Sequence, residues 1–343
     1  MANLIERRQW MPLAAIATAL ELCVMCATKP PSQAAARADR RRCGTDDAYL
    51  QVLGSGGPMH GEGRRGSSYV VWLSGRPAIV VDMGADTPAA LAQAGAMPAS
   101  ADIVLVSHLH PDHVSGLPDF LWGEKTAGRR RALVIAGPSG GGDDFPSTPE
   151  FLKRLIGKDG AFPALSSLYD GVPFAVPVTT LTISDSTPHH VVKHDDVAIS
   201  ALSVPHGRAP ALAYRLDSPR FRIVFAGDQS GLNPSFIAFA SGADLLVLHA
   251  MVSERAKNDP LADIVGLPTR FGSLARASQA KRVLLSHFMG QPGAQTSLWS
   301  LANIQGVLNS FRSAYAGPVT LASDLMCVTL SGVAAKATPT HGS

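Results

Sequence analysis

Apolar strand patterns alternate with helix patterns along this sequence, which predicts an α/β or α+β class. The strand signal lies in short runs bounded by turn residues: ADIVLV (101–106), FRIVFA (221–226), LLVLH (245–249) and RVLL (282–285). The helix signal is clearest in PAALAQA (88–94), with proline at its start and Gly95 just past its end. Several of the strands run directly into Asp or His. Hydrophobic residues make up 46% of the chain and charged ones 17%, with 32 Gly and 25 Pro, which fits a folded, loop-rich protein rather than a disordered one. The 343 residues hold one large domain with extra segments, or two small ones. A formal net charge of +3 is too small to argue for a nucleic-acid partner.

Residues 1–34 read as a signal peptide. Arg7 and Arg8 precede an apolar run from Trp10 to Leu20, too short to span a bilayer. Ser32-Gln33-Ala34 suits cleavage, and Arg7-Arg8-Gln9-Trp10-Met11 resembles a twin-arginine signal. The reading implies a periplasmic or secreted protein with no stable membrane anchor; a cytoplasmic protein with a frayed N-terminus is the alternative. Cleavage near Ala34 removes Cys23 and Cys26 and leaves Cys43 and Cys327, which could pair in an oxidising compartment. Residues 35–47 form a basic linker, 48–332 the folded domain and 333–343 a flexible tail.

Within the domain, Tyr49 to Leu53 is a strand, and the loop from Gly54 to Gly66 is too glycine-rich for a regular element. Ser67 to Leu73 and Ala78 to Asp82 form a hairpin with Gly75-Arg76-Pro77 in the turn. A helix follows at Pro88 to Ala94, then the strand Ala101 to Val106. Gly116 to Trp122 is a further helix, Ala127 to Arg131 a solvated basic turn, and Ala132 to Ala136 a strand. A flexible loop (Gly137 to Pro149) leads to a helix starting at Glu150. Val178 to Ile183 and Val197 to Val204 are strands, with His189, His190 and His194 as exposed loop histidines between them. The last strand combines Val319 to Ala322 with Met326 to Leu330.

The chemistry concentrates in Ser107-His108-Leu109-His110-Pro111-Asp112-His113, at the C-terminal end of the Ala101 to Val106 strand. Imidazole and carboxylate are ligands that zinc accepts readily. In an extended segment residues i and i+2 point the same way, so His108 and His110 can grip one ion. Pro111 turns the chain, and Asp112 and His113 can then aim at a second. Three later strands end in Pro205-His206, Gly227-Asp228 and Ser286-His287; a fourth ends in His249, a weaker candidate. A rigid sheet edge that delivers each ligand suits a metal site. No cysteine lies near the cluster, so a cysteine-ligated zinc ribbon is not expected.

The order HxHxDH, lone His, Gly-Asp, Ser-His resembles the metallo-β-lactamase superfamily, and within it the ribonuclease Z, phosphodiesterase and arylsulfatase branch. Leu53-Gly54-Ser55-Gly56-Gly57-Pro58, His206-Gly207-Arg208-Ala209-Pro210, Ala226-Gly227-Asp228-Gln229 and Ala322-Ser323-Asp324 are similar to that branch's motifs, so the likeness spans about residues 49–330. The resemblance implies an α+β four-layer αββα sandwich, the metallo-β-lactamase fold, with two divalent metal ions. Zinc is expected; manganese and iron suit the same donors. His108, His110 and His206 would hold one ion, Asp112, His113 and His287 the other, and Asp228 would bridge both. Asp82 would orient this shell by hydrogen bonding. Asp112, His113 and His249 are the candidate catalytic residues.

Two departures stand out. The branch carries His-Glu-Ala-Thr where this chain has His249-Ala250-Met251-Val252, and a histidine where this chain has Gly266-Leu267-Pro268-Thr269. Both missing groups are tied to leaving-group protonation, which leaves His249 as the candidate proton donor. The branch's long RNA-gripping arm is also not evident between Gly137 and Gly171. The expectation is therefore a hydrolase of phosphate or sulfate esters, phosphodiesterase- or arylsulfatase-like, that works through a hydroxide shared by metals about 3.5–4 Å apart. Its substrate would be a small-molecule anionic ester and not a nucleic acid, and a homodimer is left open. Hydrolysis of lactone or β-lactam rings is the alternative, and a non-catalytic metal-binding protein the third reading.

Overall fold

The computed structural model describes residue 43 and residues 47–142, 144–182, 187–291 and 298–330. All belong to one unit, Arg41–Ser343. In chain order its first half contains β1 (Ala48–Gly54), β2 (Ser68–Leu73), β3 (Arg76–Val81), α1 (Thr87–Gln93), β4 (Ile103–Leu105), α2 (Pro111–Val114), α3 (Leu117–Thr126), β5 (Val134–Pro138), α4 (Thr148–Ile156), α5 (Ser166–Tyr169) and β6 (Val178–Leu181). Its second half contains β7 (His189–His194), β8 (Val197–His206), β9 (Ala209–Asp217), β10 (Arg222–Phe225), α6 (Ser235–Phe239), β11 (Leu245–His249), α7 (Pro268–Ala277), β12 (Val283–Ser286), α8 (Ile304–Ala314), β13 (Val319–Leu321) and β14 (Cys327–Thr329).

Among the described residues these strands make two seven-stranded mixed sheets, ordered β14-β1-β2-β3-β4-β5-β6 and β13-β12-β11-β10-β9-β8-β7. Side chains alternate across each strand, and the period of two sorts them into layers. Leu50, Val52, Tyr69, Val71, Ile79 and Val81 of the first sheet share one core with Ile199, Leu202, Ile223 and Leu246 of the second. Their neighbours Tyr49, Val70, Trp72 and Val80 face the other way and pack with Leu91 of α1, Leu117 and Leu121 of α3 and Leu152 of α4. Phe236 of α6, Phe271 and Leu274 of α7, and Val307 and Phe311 of α8 cover the second sheet. The result is the expected αββα sandwich.

Four local readings are corrected. The β2–β3 turn uses Ser74 and Gly75, at φ 49° and 74°, so Arg76 and Pro77 already belong to β3. Two left-handed residues match the twist of the flanking strands, so two residues close the hairpin. His189, His190 and His194 are not loop residues: they lie on edge strand β7, where His189 pairs with Ala201 and His194 with Val197. The two final strand runs part company. Val319–Leu321 joins the second sheet beside β12, whereas Cys327–Thr329 crosses to the first beside β1.

The fourth correction concerns the basic turn 127–131, where Arg129 is only 1% exposed. Its Nη1 donates to Glu124 Oε2 at 2.7 Å and to the Ala101 carbonyl at 2.7 Å, and its Nε and Nη2 donate to the carbonyls of Arg131 and Ala132. Four satisfied donors let a guanidinium sit inside. Arg129→Ala leaves Glu124 buried and unpaired, so the expected loss is about 3–5 kcal/mol, read as a lowered denaturant midpoint.

Cys43 and Cys327 form a disulfide, with Cα atoms 5.4 Å apart, across 284 residues of sequence. Cross-linking so long a loop restricts the unfolded chain, and reduction or Cys327→Ser is expected to cost about 2–4 kcal/mol. Denaturation with and without reductant measures it; coincident curves would show that the bridge contributes nothing. Among the described residues no helix is long and apolar enough to cross a membrane. The signal segment and the tail lie outside the described residues.

Candidate metal centre

The ligand-type residues converge because six strands point the same way. β3 and β4 are parallel in the first sheet. In the second, β8 and β10 are both antiparallel to β9, and β10, β11 and β12 are parallel. Their C-terminal ends therefore meet at one edge of the sandwich. They deliver Asp82, the His108–His113 segment, His206, Asp228, His249 and His287 there. The exit of β4 is clamped from the opposite sheet: Tyr214 Oη donates to the Val106 carbonyl at 2.8 Å and Leu212 N to the Ser107 carbonyl at 2.9 Å.

Two groups of ligand atoms form. In the first, His108 Nε2 lies 2.8 Å from His110 Nδ1, and His206 Nε2 lies 3.3 Å from the same atom. Asp228 Oδ2 is 3.8 Å from His108 Nε2 and 3.5 Å from His206 Nε2. In the second, His113 Nε2 and His287 Nε2 are 3.0 Å apart, with Asp112 Oδ2 at 3.4 and 3.1 Å from them. Asp228 reaches this group too, with Oδ2 3.6 Å from His113 and Oδ1 3.5 Å from His287. The one carboxylate thus lies against both.

Backbone and side-chain partners set the imidazole orientations. Asp82 accepts from Ser107 N at 2.7 Å and Ser107 Oγ at 2.9 Å, and its Oδ2 is 2.8 Å from His113 Nδ1. That contact holds a proton on His113 Nδ1 and turns Nε2 toward Asp112 and His287. Likewise the Ile264 carbonyl lies 3.1 Å from His206 Nδ1. Asp82 and His287 adopt left-handed φ values of 59° and 60°, backbone strain of the kind that concentrates at functional sites. A Cβ on Gly57 would come within 2.5 Å of the His287 ring, so only glycine lets the opening loop lie against it.

Electrostatics follow burial and charge. Burial opposes a charged His113, yet Asp112, Asp82 and Asp228 outweigh it and hold its pKa well above the usual imidazole value. Burial, then His113, pushes His108 well below it. Burial would raise Asp228, but His287 and His113 hold it well below the usual carboxylate range.

The donor set fits metal ions. Two ring nitrogens 3.0 Å apart can share at most one proton, and His287 Nδ1 is buried with no hydrogen-bond partner. Tetrahedral zinc with nitrogen ligands at about 2.0–2.1 Å sets neighbouring donors roughly 3.3 Å apart, close to the spacings here. Two sets of donors converge closely enough to hold an ion each, His108, His110, His206 and Asp228, and His113, Asp228, His249 and His287, with Asp112 standing against His113 and His287 beside the second.

A model of the beta-lactamase superfamily domain matches residues 78–288, more than half of the chain. The chain belongs to the beta-lactamase superfamily. Its relatives include ribonuclease Z of Clostridium kluyveri, 29% identical over 171 residues, or 50% of this chain and 49% of that one. Ribonuclease Z of Mycobacterium marinum is 29% identical over 202 residues, or 58% of this chain and 68% of that one. The match thus spans about half the length of the Clostridium protein. Human short-form tRNase Z shares the fold with a TM-score of 0.60 at 20% identity, over 82% of this chain and 99% of that one. The Bacillus subtilis metallo-beta-lactamase fold protein YhfI does so at 0.62 and 20%, again over 82% and 99%. This superfamily member therefore has the metallo-β-lactamase fold, and the curated proteins it resembles include ribonucleases Z. The curated relatives are named ribonuclease Z, which overturns the expectation of a small-molecule ester substrate with no nucleic-acid partner.

Within this superfamily site, Asp112, His113, His108, His110, His206, Asp228, His287 and Asp82 all meet at the sandwich edge. His249 meets them but is not placed as a proton donor. It is 1% exposed, its Nδ1 is 2.6 Å from Asp228 Oδ1, and its Nε2 is 3.1 Å from Tyr69 Oη. Both ring nitrogens are engaged inside the protein, and the residue stands in the second group with His113, Asp228 and His287. Ala250, where the branch carries Glu, and Leu267, within the 266–269 segment where the branch carries His, are 4% and 7% exposed, Leu267 in a small apolar cluster with Met251, Val252, Ala256, Ala262, Val265 and Met289. Sequence reading missed Ser107, Tyr69 and the Ile264 carbonyl as partners of the site. Ser107 stands inside the motif and was within reach. A backbone carbonyl carries no sequence signal.

Proposed function

We propose that this protein is a dinuclear, zinc-dependent phosphodiesterase of the ribonuclease Z type, with RNA among its candidate substrates. The observation that carries the reading is Asp228, whose carboxylate lies within 3.8 Å of ring nitrogens from both groups. His108, His110 and His206 would hold one ion and Asp112, His113 and His287 the other. When bound, the ions supply Lewis acidity and lower the pKa of water to roughly 7.

The chain's own part is to fix geometry. Asp82 keeps the His113 proton on Nδ1, and the Ile264 carbonyl does the same for His206. His249 Nδ1 contacts Asp228 Oδ1 while Tyr69 engages its other nitrogen. With Ala250 and Leu267 apolar, the proton for the leaving oxygen comes from solvent or from the substrate side. The relatives named ribonuclease Z and the tRNase Z fold support a phosphodiester substrate. Export with cleavage near Ala34 is proposed as well, supported by the disulfide, since such bridges persist in oxidising compartments. N-terminal sequencing of cell-derived protein tests it; an intact Met1 terminus rules it out.

The test of function pairs metal analysis with a substrate panel: a 3′-extended RNA, bis(nitrophenyl) phosphate, nitrophenyl sulfate, a lactone and a cephalosporin. Two ions per chain and turnover of the phosphodiesters are expected. One ion or none in metal-replete buffer rejects the dinuclear reading. Turnover of only the sulfate, the lactone or the cephalosporin moves the protein to another chemistry on the same metals.

A further inference from the structure

We propose that Arg270 is a positioning residue that locks two metal-holding segments together and couples the turn around Ile264 to the metal centre. The inference rests on the dinuclear reading above.

Arg270 lies in the first turn of helix α7, outside every motif read from the sequence. Its side chain runs back over Gly231, where a Cβ would come within 3.3 Å of Arg270 Cδ. Its Nη1 donates to the Ser230 carbonyl at 2.8 Å and to the Ala262 carbonyl at 2.6 Å. Each acceptor sits two residues from a part of the site. Ser230 follows Asp228, and its own N donates to the Pro205 carbonyl at 2.9 Å, immediately before His206. Ala262 precedes Ile264, whose carbonyl faces His206 Nδ1 at 3.1 Å. One guanidinium therefore closes a ring through Asp228, Ser230, Pro205, His206, Ile264 and Ala262.

The ring matters because it ties the turn to the Asp228 segment. The segment from Met251 to Leu267 packs in its own small apolar cluster, separate from the two larger cores. Ile264 itself is 36% exposed. Without Arg270 the turn keeps its local hydrogen bonds but loses its tie to the Asp228 segment. The Ile264 carbonyl then no longer has a fixed place relative to His206, whose proton it orients. Partners that orient a metal-binding imidazole typically change metal affinity by about 10–100-fold when removed. Arg270 acts one step further out, so the low end is expected. Coupling is reciprocal: metal that favours the ordered His206 also orders the turn.

The experiment compares the full-length parent with Arg270→Met, which keeps the length of the stem and removes the donors, and with Arg270→Lys. Arg282→Met is the control, since Arg282 also donates to a backbone carbonyl, that of Thr329, but on β14 away from the site. Zinc affinity is read by chelator competition, fold by circular dichroism, and amide exchange across residues 260–266 with and without zinc. The expected result is a roughly tenfold weaker site in Arg270→Met, partial rescue in Arg270→Lys and no change in Arg282→Met. Zinc should also slow exchange at 260–266 in the parent but not in Arg270→Met. Should Arg270→Met fail to fold, the parent's exchange and the affinity of Arg270→Lys decide: no zinc-dependent protection and unchanged affinity overturn the inference. A folded Arg270→Met with parental affinity and protection overturns it alone, whereas a parent that takes up no zinc overturns the dinuclear reading with it.

Discussion

Asp228→Ala is expected to empty both metal positions at once and to lower phosphodiester turnover by more than about 100-fold, beyond the usual cost of losing a group that only orients a ligand. The reason is geometric. Asp228 Oδ2 faces His108 and His206 on one side and His113 on the other, and Oδ1 faces His287. No other carboxylate among the described residues is placed in both groups. Its removal also strips His249 of the partner at 2.6 Å and takes away the carboxylate beside His108 and His206. His110→Ala is the contrast, since His110 belongs to the first group only. Metal analysis should then return about one ion per chain for His110→Ala and less for Asp228→Ala, the order that a shared carboxylate requires. Two ions retained by Asp228→Ala would end the bridging assignment.

The second large effect is expected at Asp82, which need touch no metal. It is 1% exposed and anchors Ser107 N, Ser107 Oγ and His113 Nδ1. Asp82→Ala leaves the His113 ring free to change tautomer and removes the brace on the residue that precedes His108. Metal affinity at the His113 group is expected to fall by about 10–100-fold, with a smaller change at the other. The buried Ser107 N–H also loses its acceptor, which costs about 1–3 kcal/mol of stability. Asp82→Asn keeps the volume but replaces an acceptor with a donor, so it should recover stability better than affinity. Two-phase chelator competition separates the sites. Equal weakening of both, in step with lost stability, would mean that Asp82 serves the fold alone.

Much of the site was legible in the sequence because the ligand types are dense and each follows a strand. Ser107 to His113 packs three histidines and a carboxylate after β4, and the lone His206, Asp228 and His287 recur at strand ends. Local patterns also predicted α1, from a proline start and a glycine stop, and the buried strands, from their apolar runs. They failed where a partner far along the chain decides the outcome. The basic turn 127–131 looks solvated until Glu124 and three backbone carbonyls enclose Arg129. His249 looks like a free proton donor until Asp228 and Tyr69 take both nitrogens. Val319–Leu321 and Cys327–Thr329 look like one strand until their pairing partners divide them.

The sequence by itself determined the α/β or α+β class, the candidate ligand types and the pair of cysteines, while the layering and the ligand sets came from the family resemblance. These depend on residue type, on period and on short-range order, all of which a linear reading contains. Tertiary structure decided that Asp228 lies between two groups, that Asp82 and the Ile264 carbonyl set imidazole tautomers, and that Ala250 and Leu267 are buried apolar positions. Those facts depend on distances of about 3 Å between residues up to 175 positions apart, such as His287 and Asp112. Hydrogen bonds of that kind fall off so steeply with distance and angle that only the assembled sheets can fix them.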